Sequence, residues 1–360
     1  MAGITRMFDS QPRALKGSEK GADEAALKRS ESETHLTKRF DRVKPYLIHR
    51  MKDFTFDEFS ESFLAKTGME KEFKGVPIPF REEDKEAFKS PKGLSNNIIA
   101  ENMARVLGID PRFEYVEVYQ KYIELLFGQK AVDNMTRKAK DLADREEYEE
   151  SCIYFRAALV LKFNDLPAMY GYARILRQLY TDGKKEEYVG TMKAECLEYF
   201  ELTTEFYPRF DMAWYYLGYM YLNLGLYIKA KLAWDEYLKY GKIRKDRREI
   251  GNRIKQIQQP IEIEKGYNLV LSGRWSKGLS ILEPFKDSKF SDWWPLWYYL
   301  GIAYARTDQV DKAEKAFKEA LKGNARHIES MEELTALYTI TGDKTNAKKY
   351  KTKLELFKSK

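Results

Sequence analysis

One eight-residue pattern occurs twice in this chain and decides its fold. Residues 214–221 read WYYLGYMY, and residues 297–304 read WYYLGIAY. In each copy the Trp, Leu, Gly and Tyr recur at intervals of three and four residues, which places them on one face of a helix. A small residue and a large ring follow at the same distances in both copies: Ala230 and Trp234 after the first, Ala313 and Phe317 after the second. Each copy therefore predicts two helices packed against each other through apolar faces.

The two copies resemble the tetratricopeptide repeat (TPR) motif, in which W-x2-L-G-x2-Y is followed by A-x3-F within a unit of about 34 residues. The same frame predicts six units, which start at residues 132, 166, 211, 259, 294 and 328. Their spacings are 34, 45, 48, 35 and 34 residues, so two units carry insertions.

Three columns of residues support this frame. Position 8 of each unit is small: Ala139, Ala173, Gly218, Gly266, Gly301 and Thr335. Position 20 is also small: Ser151, Cys196, Ala230, Gly278, Ala313 and Ala347. Position 24 is large and apolar in five units (Phe155, Phe200, Trp234, Leu282 and Phe317), and the last unit departs with Lys351. Small residues allow helices to approach closely, and large ones fill the space that remains.

The resemblance implies an all-α fold, a TPR-type α-solenoid of about six helix pairs with a small N-terminal helical cap. Stacked pairs bury the apolar faces that no single pair can bury, so we expect an elongated, curved molecule. A bacterial member of the family is expected. In the second insertion Ile250, Ile254 and Ile257 lie on one helical face, which predicts an extension of the preceding helix that stops before Pro260. The first insertion contains a turn at residues 181–183.

The chain before the repeats divides into two further regions. We expect a mostly disordered, charged arm over residues 1–45, a helical cap over 46–130 and the solenoid over 131–360.

Local signals predict the elements of the cap. A capping box at Thr55 begins a helix that ends at Gly68, and alternate prolines make residues 76–80 extended. Ser95 caps a helix that Gly108 ends, and Asp110 caps another that ends near Gly128.

Composition favours a binding protein of the cytoplasm. The net charge of +7 is modest for 360 residues, and Cys152 and Cys196 have no metal or redox spacing, which suits a reducing compartment. No stretch is long and apolar enough to span a membrane. The three histidines, His35, His49 and His327, form no triad or metal pattern with other residues. We therefore expect no enzyme, no catalytic or metal site and no cofactor.

The best candidate site is the groove that the first helices of TPR units line. By resemblance, positions 2, 5, 9, 12 and 13 face a bound peptide. The candidate groove residues are Met212, Tyr215, Tyr219, Leu222, Asn223, Tyr267, Tyr298 and Arg306. Tyrosines offer rigid amphipathic contact area, and Asn or Arg can bond a peptide backbone or carboxylate. The alternative is that these rings only pack against neighbouring helices or against the cap. The predicted function is a scaffold or adaptor for a protein or peptide of unknown identity.

Two further interpretations remain open. The basic run at residues 242–255 makes Arg244, Lys245, Arg247 and Arg248 a candidate contact surface for phosphate or an acidic protein, although a solvated helix face is the commoner meaning and a nucleic-acid partner is disfavoured. Residues 94–110 resemble the first helices of a helix-turn-helix reader. The alternative function is therefore a peptide-responsive DNA-binding regulator with a TPR sensor domain. It requires a polar recognition helix next, whereas the following segment is rich in aromatic residues.

Overall fold

The computed structural model describes residues 41–89 and 94–358, and these form helices almost throughout. They divide into two compact units, unit 1 ending at Pro208 and unit 2 beginning at Arg209. Most of the predicted arm over residues 1–45 lies outside the described residues. The predicted limits of the cap and the solenoid stay predictions.

The described part of unit 1 has short elements first and long helices after them. Its strands are β1 (Phe54–Asp57) and β2 (Ile78–Arg81). Its helices are α1 (Lys44–Leu47), α2 (Glu61–Thr67), α3 (Glu70–Phe73), α4 (Lys85–Lys89), α5 (Asn96–Ile109), α6 (Val116–Phe127), α7 (Lys130–Asp144), α8 (Tyr148–Leu161), α9 (Leu166–Asp182) and α10 (Val189–Phe206).

The described residues of unit 2 form helices joined by short turns, except for a longer connection over residues 283–293 that includes one 3-10 turn. They are α11 (Asp211–Asn223), α12 (Tyr227–Tyr240), α13 (Arg244–Gln256), α14 (Gln258–Leu271), α15 (Trp275–Leu282), α16 (Trp294–Ala305), α17 (Val310–Gly323), α18 (Ile328–Thr341) and α19 (Lys344–Lys358).

The six predicted helix pairs are confirmed, and their first helices begin within two residues of the predicted starts. Pairs 1 and 2 are α7–α8 and α9–α10 in unit 1. Pairs 3 to 6 are α11–α12, α14–α15, α16–α17 and α18–α19 in unit 2. The two helices of each pair pack against each other. The fold is therefore all-α and of the TPR type.

Close packing within a pair explains the small and large positions. A Cβ atom on Gly218 would lie 2.2 Å from the Trp234 ring nitrogen, and one on Gly301 would lie 2.6 Å from the Phe317 ring. Both rings are fully buried. The large residue at position 24 thus occupies the space that the glycine at position 8 leaves free. In the last pair Lys351 is exposed and the neighbouring Tyr350 is buried in its place.

The second insertion differs from the prediction, because it forms a helix of its own. Helix α12 ends at Tyr240, and α13 follows as a separate helix. Ile250 within α13 and Ile257 directly after it are buried. Pro260 does not stop a helix, since it lies in the first turn of α14. An N–H group in that turn has no partner within the helix, so proline is tolerated there. The turn predicted in the first insertion is confirmed by Gly183, which ends α9 in the left-handed conformation.

The predicted helix at Thr55 is wrong. Residues Phe54–Asp57 form β1, which pairs antiparallel with β2 in the register Phe54 to Arg81. Helix α2 begins only at Glu61, where the Ser60 side chain accepts the Phe63 N–H, and it ends at Gly68 as predicted. The extended conformation predicted before residue 81 is confirmed by β2. Strand pairing thus decides the conformation of a segment whose local signal favours a helix.

Two further helix ends in unit 1 differ from the prediction. The Ser95 cap is confirmed, but α5 continues through Gly108 to Ile109. Position 108 requires glycine, because a Cβ atom there would lie 2.0 Å from the carbonyl oxygen of Ile153. Asp110 does not cap α6, which starts at Val116; its carboxylate accepts hydrogen bonds from the Lys44 ammonium at 2.7 Å and the Arg112 N–H at 3.1 Å.

A buried ion pair joins the start of unit 1 to its helices. Arg156 of α8 is completely buried, and its guanidinium donates to the Gly108 carbonyl at 2.6 Å and to the Asp41 carboxylate. Burial alone would raise the pKa of Asp41, but the Arg156 charge and hydrogen bonds outweigh it and lower that pKa. Removing either partner would leave an unpaired buried charge, which is strongly destabilising.

Candidate partner-binding surface

The predicted groove residues lie on the first helices α11, α14 and α16 of unit 2. Most of them are half-buried: Met212, Tyr215, Tyr219, Leu222, Tyr267 and Tyr298. Asn223 and Arg306 are exposed, each near the end of its helix. The structure brings Tyr215 and Tyr219 together in pair 3. In pairs 4 and 5, the ring of Tyr299 lies between Tyr267 and Tyr298 and contacts both.

Tyr215 and Tyr219 belong to an aromatic cluster of pair 3. Their ring centroids are 5.2 Å apart, and the Tyr219 ring meets Trp234 edge-on at 5.1 Å. The Tyr219 hydroxyl donates to the carboxylate of Glu249 on α13. Burial and this carboxylate raise the pKa of Tyr219. Helix α13 therefore lies against this part of the predicted groove, so packing against a neighbouring helix accounts for Tyr219.

Helix α13 also carries the predicted basic surface. Arg247 donates to the Gly241 carbonyl at 2.9 Å and to the Leu238 carbonyl, at the end of α12. Cations are favourable there because the last carbonyls of a helix lack partners. Arg244, Lys245 and Arg248 are exposed. Three of the four basic residues thus remain available to a partner, and the fourth serves the fold.

A row of five rings continues along pairs 4 and 5 to the start of pair 6. Its members, which we call the ring row, are Tyr267, Tyr299, Tyr298, His327 and Trp294. Tyr267 stacks on Tyr299 at 4.7 Å, and Tyr299 lies 5.2 Å from Tyr298. His327 then lies 4.6 Å from Tyr298 and 4.4 Å from Trp294. All five rings are half-buried, so each exposes part of its surface.

His327 holds the start of α18 while it contacts the ring row. Its Nδ1 accepts the Ser330 N–H at 3.2 Å, which makes it the N-cap of this helix. An accepting Nδ1 requires that the proton be on Nε2, so the ring is neutral in this arrangement. Burial lowers the pKa of His327, although Glu329 at 3.2 Å from Nε2 acts in the opposite sense. The ring row therefore carries no positive charge near neutral pH.

Sequence reasoning missed three members of the ring row and the partner of Tyr219. Tyr299 is at position 6 and Trp294 at position 1 of their unit, outside the five positions that the resemblance implies. His327 directly precedes the predicted start of the sixth unit at residue 328, and its capping role has no sequence signature. The usable signal was the aromatic run at residues 293–299. Glu249 lay in a basic run, and only the tertiary structure brings it to Tyr219.

The helix-turn-helix interpretation requires a free face on α6. Tyr119 and Ile123 of that helix are completely buried and Tyr122 nearly so. The Tyr119 hydroxyl donates to the Pro77 carbonyl, and the Tyr122 ring packs edge-on against Phe73 at 5.4 Å. This aromatic face therefore belongs to the core of unit 1 and does not form a recognition surface.

The two cysteines are buried, as the interpretation of position 20 expects. Burial raises the pKa of Cys152 to about 12 and raises that of Cys196 as well, so both thiols stay protonated. Among the described residues, His, Cys, Asp and Glu side chains form no group of three that could hold a metal ion. The same residues include no helix with the length and apolar character of a membrane span.

Comparison with known proteins identifies the repeat. Residues 294–322, which cover α16 and most of α17, match the tetratricopeptide repeat family. This match and the six packed helix pairs show that the chain contains tetratricopeptide repeats. No curated protein matches the chain. Its bacterial origin stays a prediction.

Several solved structures are similar to the chain at low identity. The P58(IPK) TPR domain is 13% identical, covering 73% of this chain and 75% of that chain, with a TM-score of 0.42. MamA from Desulfovibrio magneticus RS-1 is 16% identical, with 65% and 97% coverage and a TM-score of 0.23. YrrB, a TPR protein with an unusual peptide-binding site, is 15% identical, with 65% and 97% coverage and a TM-score of 0.29. These TM-scores are too low to bear on function.

Proposed function

We propose that the chain is an adaptor that holds a segment of a partner protein on the first-helix face of unit 2. The groove residues predicted from the sequence form this face, and the ring row extends it. The observation that carries the proposal is the continuity of five partly buried rings across three helix pairs. Rigid aromatic side chains are enriched among residues that dominate binding energy, because they bury much area at little entropic cost.

The two ends of this face have different roles in the proposal. Tyr219 is engaged by α13, so we assign it to holding α13 in place. Tyr267, Tyr298 and Arg306, together with Tyr299, contact the partner directly. Such an adaptor needs no cofactor or catalytic group, and we expect it to act in the cytoplasm.

Position-specific photo-crosslinking in a native lysate tests the proposal on the full-length chain. A photoreactive phenylalanine analogue replaces Asn223 or Arg306 on the first-helix face, or Lys239 or Lys318 on the second helices α12 and α17. All four side chains are exposed. We expect one protein to crosslink from Arg306 and Asn223 and to be absent from the two controls. Crosslinks from the control positions alone, or equally from all four, would place the interface elsewhere.

The exposed residues of α13 offer a second contact for the same partner. Arg244, Lys245 and Arg248 would attract an acidic segment, since positive charges on one helix raise the local concentration of negative groups. The crosslinking yield from Arg306 in an Arg244→Gln/Lys245→Gln/Arg248→Gln variant measures this contribution. An unchanged yield would show that the partner does not use the basic surface.

A further inference from the structure

Carboxylates of α18 flank the ring row. Glu329 lies 3.2 Å from the Nε2 atom of His327, and Glu333 lies 3.4 Å from an Nη atom of Arg306. Glu332 is exposed on the same helix. Burial raises the pKa of Tyr298 most, Tyr299 adds to the shift, and the charges of the three glutamates raise it further, so their field reaches this ring. The result is a partly exposed aromatic surface flanked by three carboxylates, one of which is paired with Arg306.

Other rings of unit 2 already have cations of the chain beside them. Lys312 lies over the Tyr304 ring at 5.4 Å, and Lys318 lies over the Tyr338 ring at 5.9 Å. Within residues 41–89 and 94–358, no Lys or Arg side chain lies over a ring of the ring row in this way. Ring faces attract cations through their quadrupoles, and the exposed parts of these rings have no cation of the described residues over them.

One contact of the chain itself is of the kind that a basic partner would make here. The guanidinium of Arg306, from the end of α16, reaches across to the Glu333 carboxylate. A planar guanidinium both stacks on aromatic faces and pairs with carboxylates, so it fits a surface that presents both. His327 is neutral and does not oppose a second cation.

We infer that the ring row and Glu329, Glu332 and Glu333 bind arginine or lysine side chains of a basic segment in the partner protein. The inference rests on the proposed function and specifies the chemistry of the segment that the first-helix face holds. Opposite charge fixes the kind of partner, while the rings supply contact area for the aliphatic stems of these long side chains.

Peptide binding to the full-length chain tests the inference. The probe is a fluorescein-labelled peptide of alternating Leu and Arg, compared with the same peptide in which citrulline replaces Arg. Citrulline keeps the shape of arginine and removes its charge. By fluorescence anisotropy at about 0.1 M salt, we expect the Arg peptide to bind on the order of tenfold more tightly.

Two sets of charge-neutral variants locate the effect. In Glu329→Gln/Glu332→Gln/Glu333→Gln we expect the preference for Arg over citrulline to fall to about twofold or less. The matched control, Asp311→Asn/Glu319→Gln/Glu355→Gln, removes the same charge from the second helices α17 and α19 and should keep the preference. Melting temperatures of both variants check that the fold is intact. Tyr298→Leu, which retains an apolar side chain but no ring, should also weaken the Arg peptide selectively.

The outcomes separate this inference from the proposed function. If both peptides bind equally and Tyr298→Leu weakens both, the face binds polypeptides but does not select cations, and the inference fails alone. An equal loss in the control variant would reduce the effect to overall charge and would also overturn it. If neither peptide binds at millimolar concentration, the inference is wrong, and crosslinking decides the proposed function by itself.

Discussion

Pairs 3 and 5 carry nearly the same eight residues, WYYLGYMY and WYYLGIAY, yet their tyrosines meet different surroundings. Inside each pair the packing is alike, because the Trp234 ring packs against Gly218 in the same way as the Phe317 ring packs against Gly301. Outside, the faces differ. Position 9 is Tyr219 in pair 3, where its hydroxyl donates to Glu249 of α13, whereas position 9 is Ile302 in pair 5. In pair 5 the tyrosine at position 5, Tyr298, lies against His327.

The difference shows which positions a repeat motif determines. Residues that point into their own pair are constrained by that pair, so the motif predicts their contacts. Residues that point outward contact the element that packs beside the pair, and this element differs from one pair to the next. The spacing from pair 3 to pair 4 is 48 residues and leaves room for α13, whereas the 34 residues from pair 5 to pair 6 bring His327 directly to Tyr298.

We expect the largest effect from substitutions that disrupt the contact shared by pairs 3 and 5, in which a glycine at position 8 packs against a ring at position 24. Gly218→Ala and Gly301→Ala place a Cβ atom against a fully buried ring, and we expect each to destabilise unit 2 by about 1–3 kcal/mol in urea unfolding. The control is Gly251→Ala in α13, where a Cβ atom meets nothing within 4 Å. Alanine favours helix by about 1 kcal/mol over glycine, so this variant should gain stability. Equal stabilities for the three variants would refute the close-packing explanation.

A smaller effect sharpens the contrast between the outward faces. Tyr219→Phe removes the hydroxyl that donates to Glu249, and we expect a loss of about 1 kcal/mol, since Glu249 is half-exposed and can be hydrated. A double-mutant cycle with Glu249→Gln measures the coupling. Tyr298→Phe in pair 5 is the matched control and should change the free energy of unfolding by less than about 0.5 kcal/mol. A coupling near zero would mean that α13 is held without this bond.

The smallest expected effect is a pH dependence of the free energy of unfolding that arises from His327, the residue in contact with Tyr298 of pair 5. Because burial lowers the pKa of His327, the unfolded chain binds a proton more readily than the folded one. The stability that neutral His327 contributes is complete above its unfolded pKa of about 6.5 and is lost as the pH falls below it toward the folded pKa.

Unfolding of the native chain and of His327→Asn at about pH 7.5 and about pH 5.5 measures this effect. Asn can still cap α18 but does not titrate. We expect the native chain to lose more stability than the variant on acidification, by less than about 1 kcal/mol. Parallel losses would show that other groups carry the pH dependence.

Much of the repeat architecture could be predicted because it is local. Small residues at positions 8 and 20, and large apolar residues at position 24 of five units, are read directly from the chain, and they located all six helix pairs. The errors fall where distant segments compete with local signals. Thr55 lies in a strand because β2 pairs with it, and Gly108 lies inside a helix, where the backbone of Ile153 leaves no room for a Cβ atom.

The candidate surface shows the same division. The sequence by itself determined the helix pairs, their order and the location of Tyr215, Tyr219, Tyr267 and Tyr298 on first helices, because these follow from periodicity within each unit. Only the tertiary structure decided that α13 engages Tyr219, that His327 joins Trp294 and Tyr298, and that carboxylates of α18 flank the ring row. These contacts join side chains of different helices, and their partners depend on how the helices stack, which no local pattern encodes.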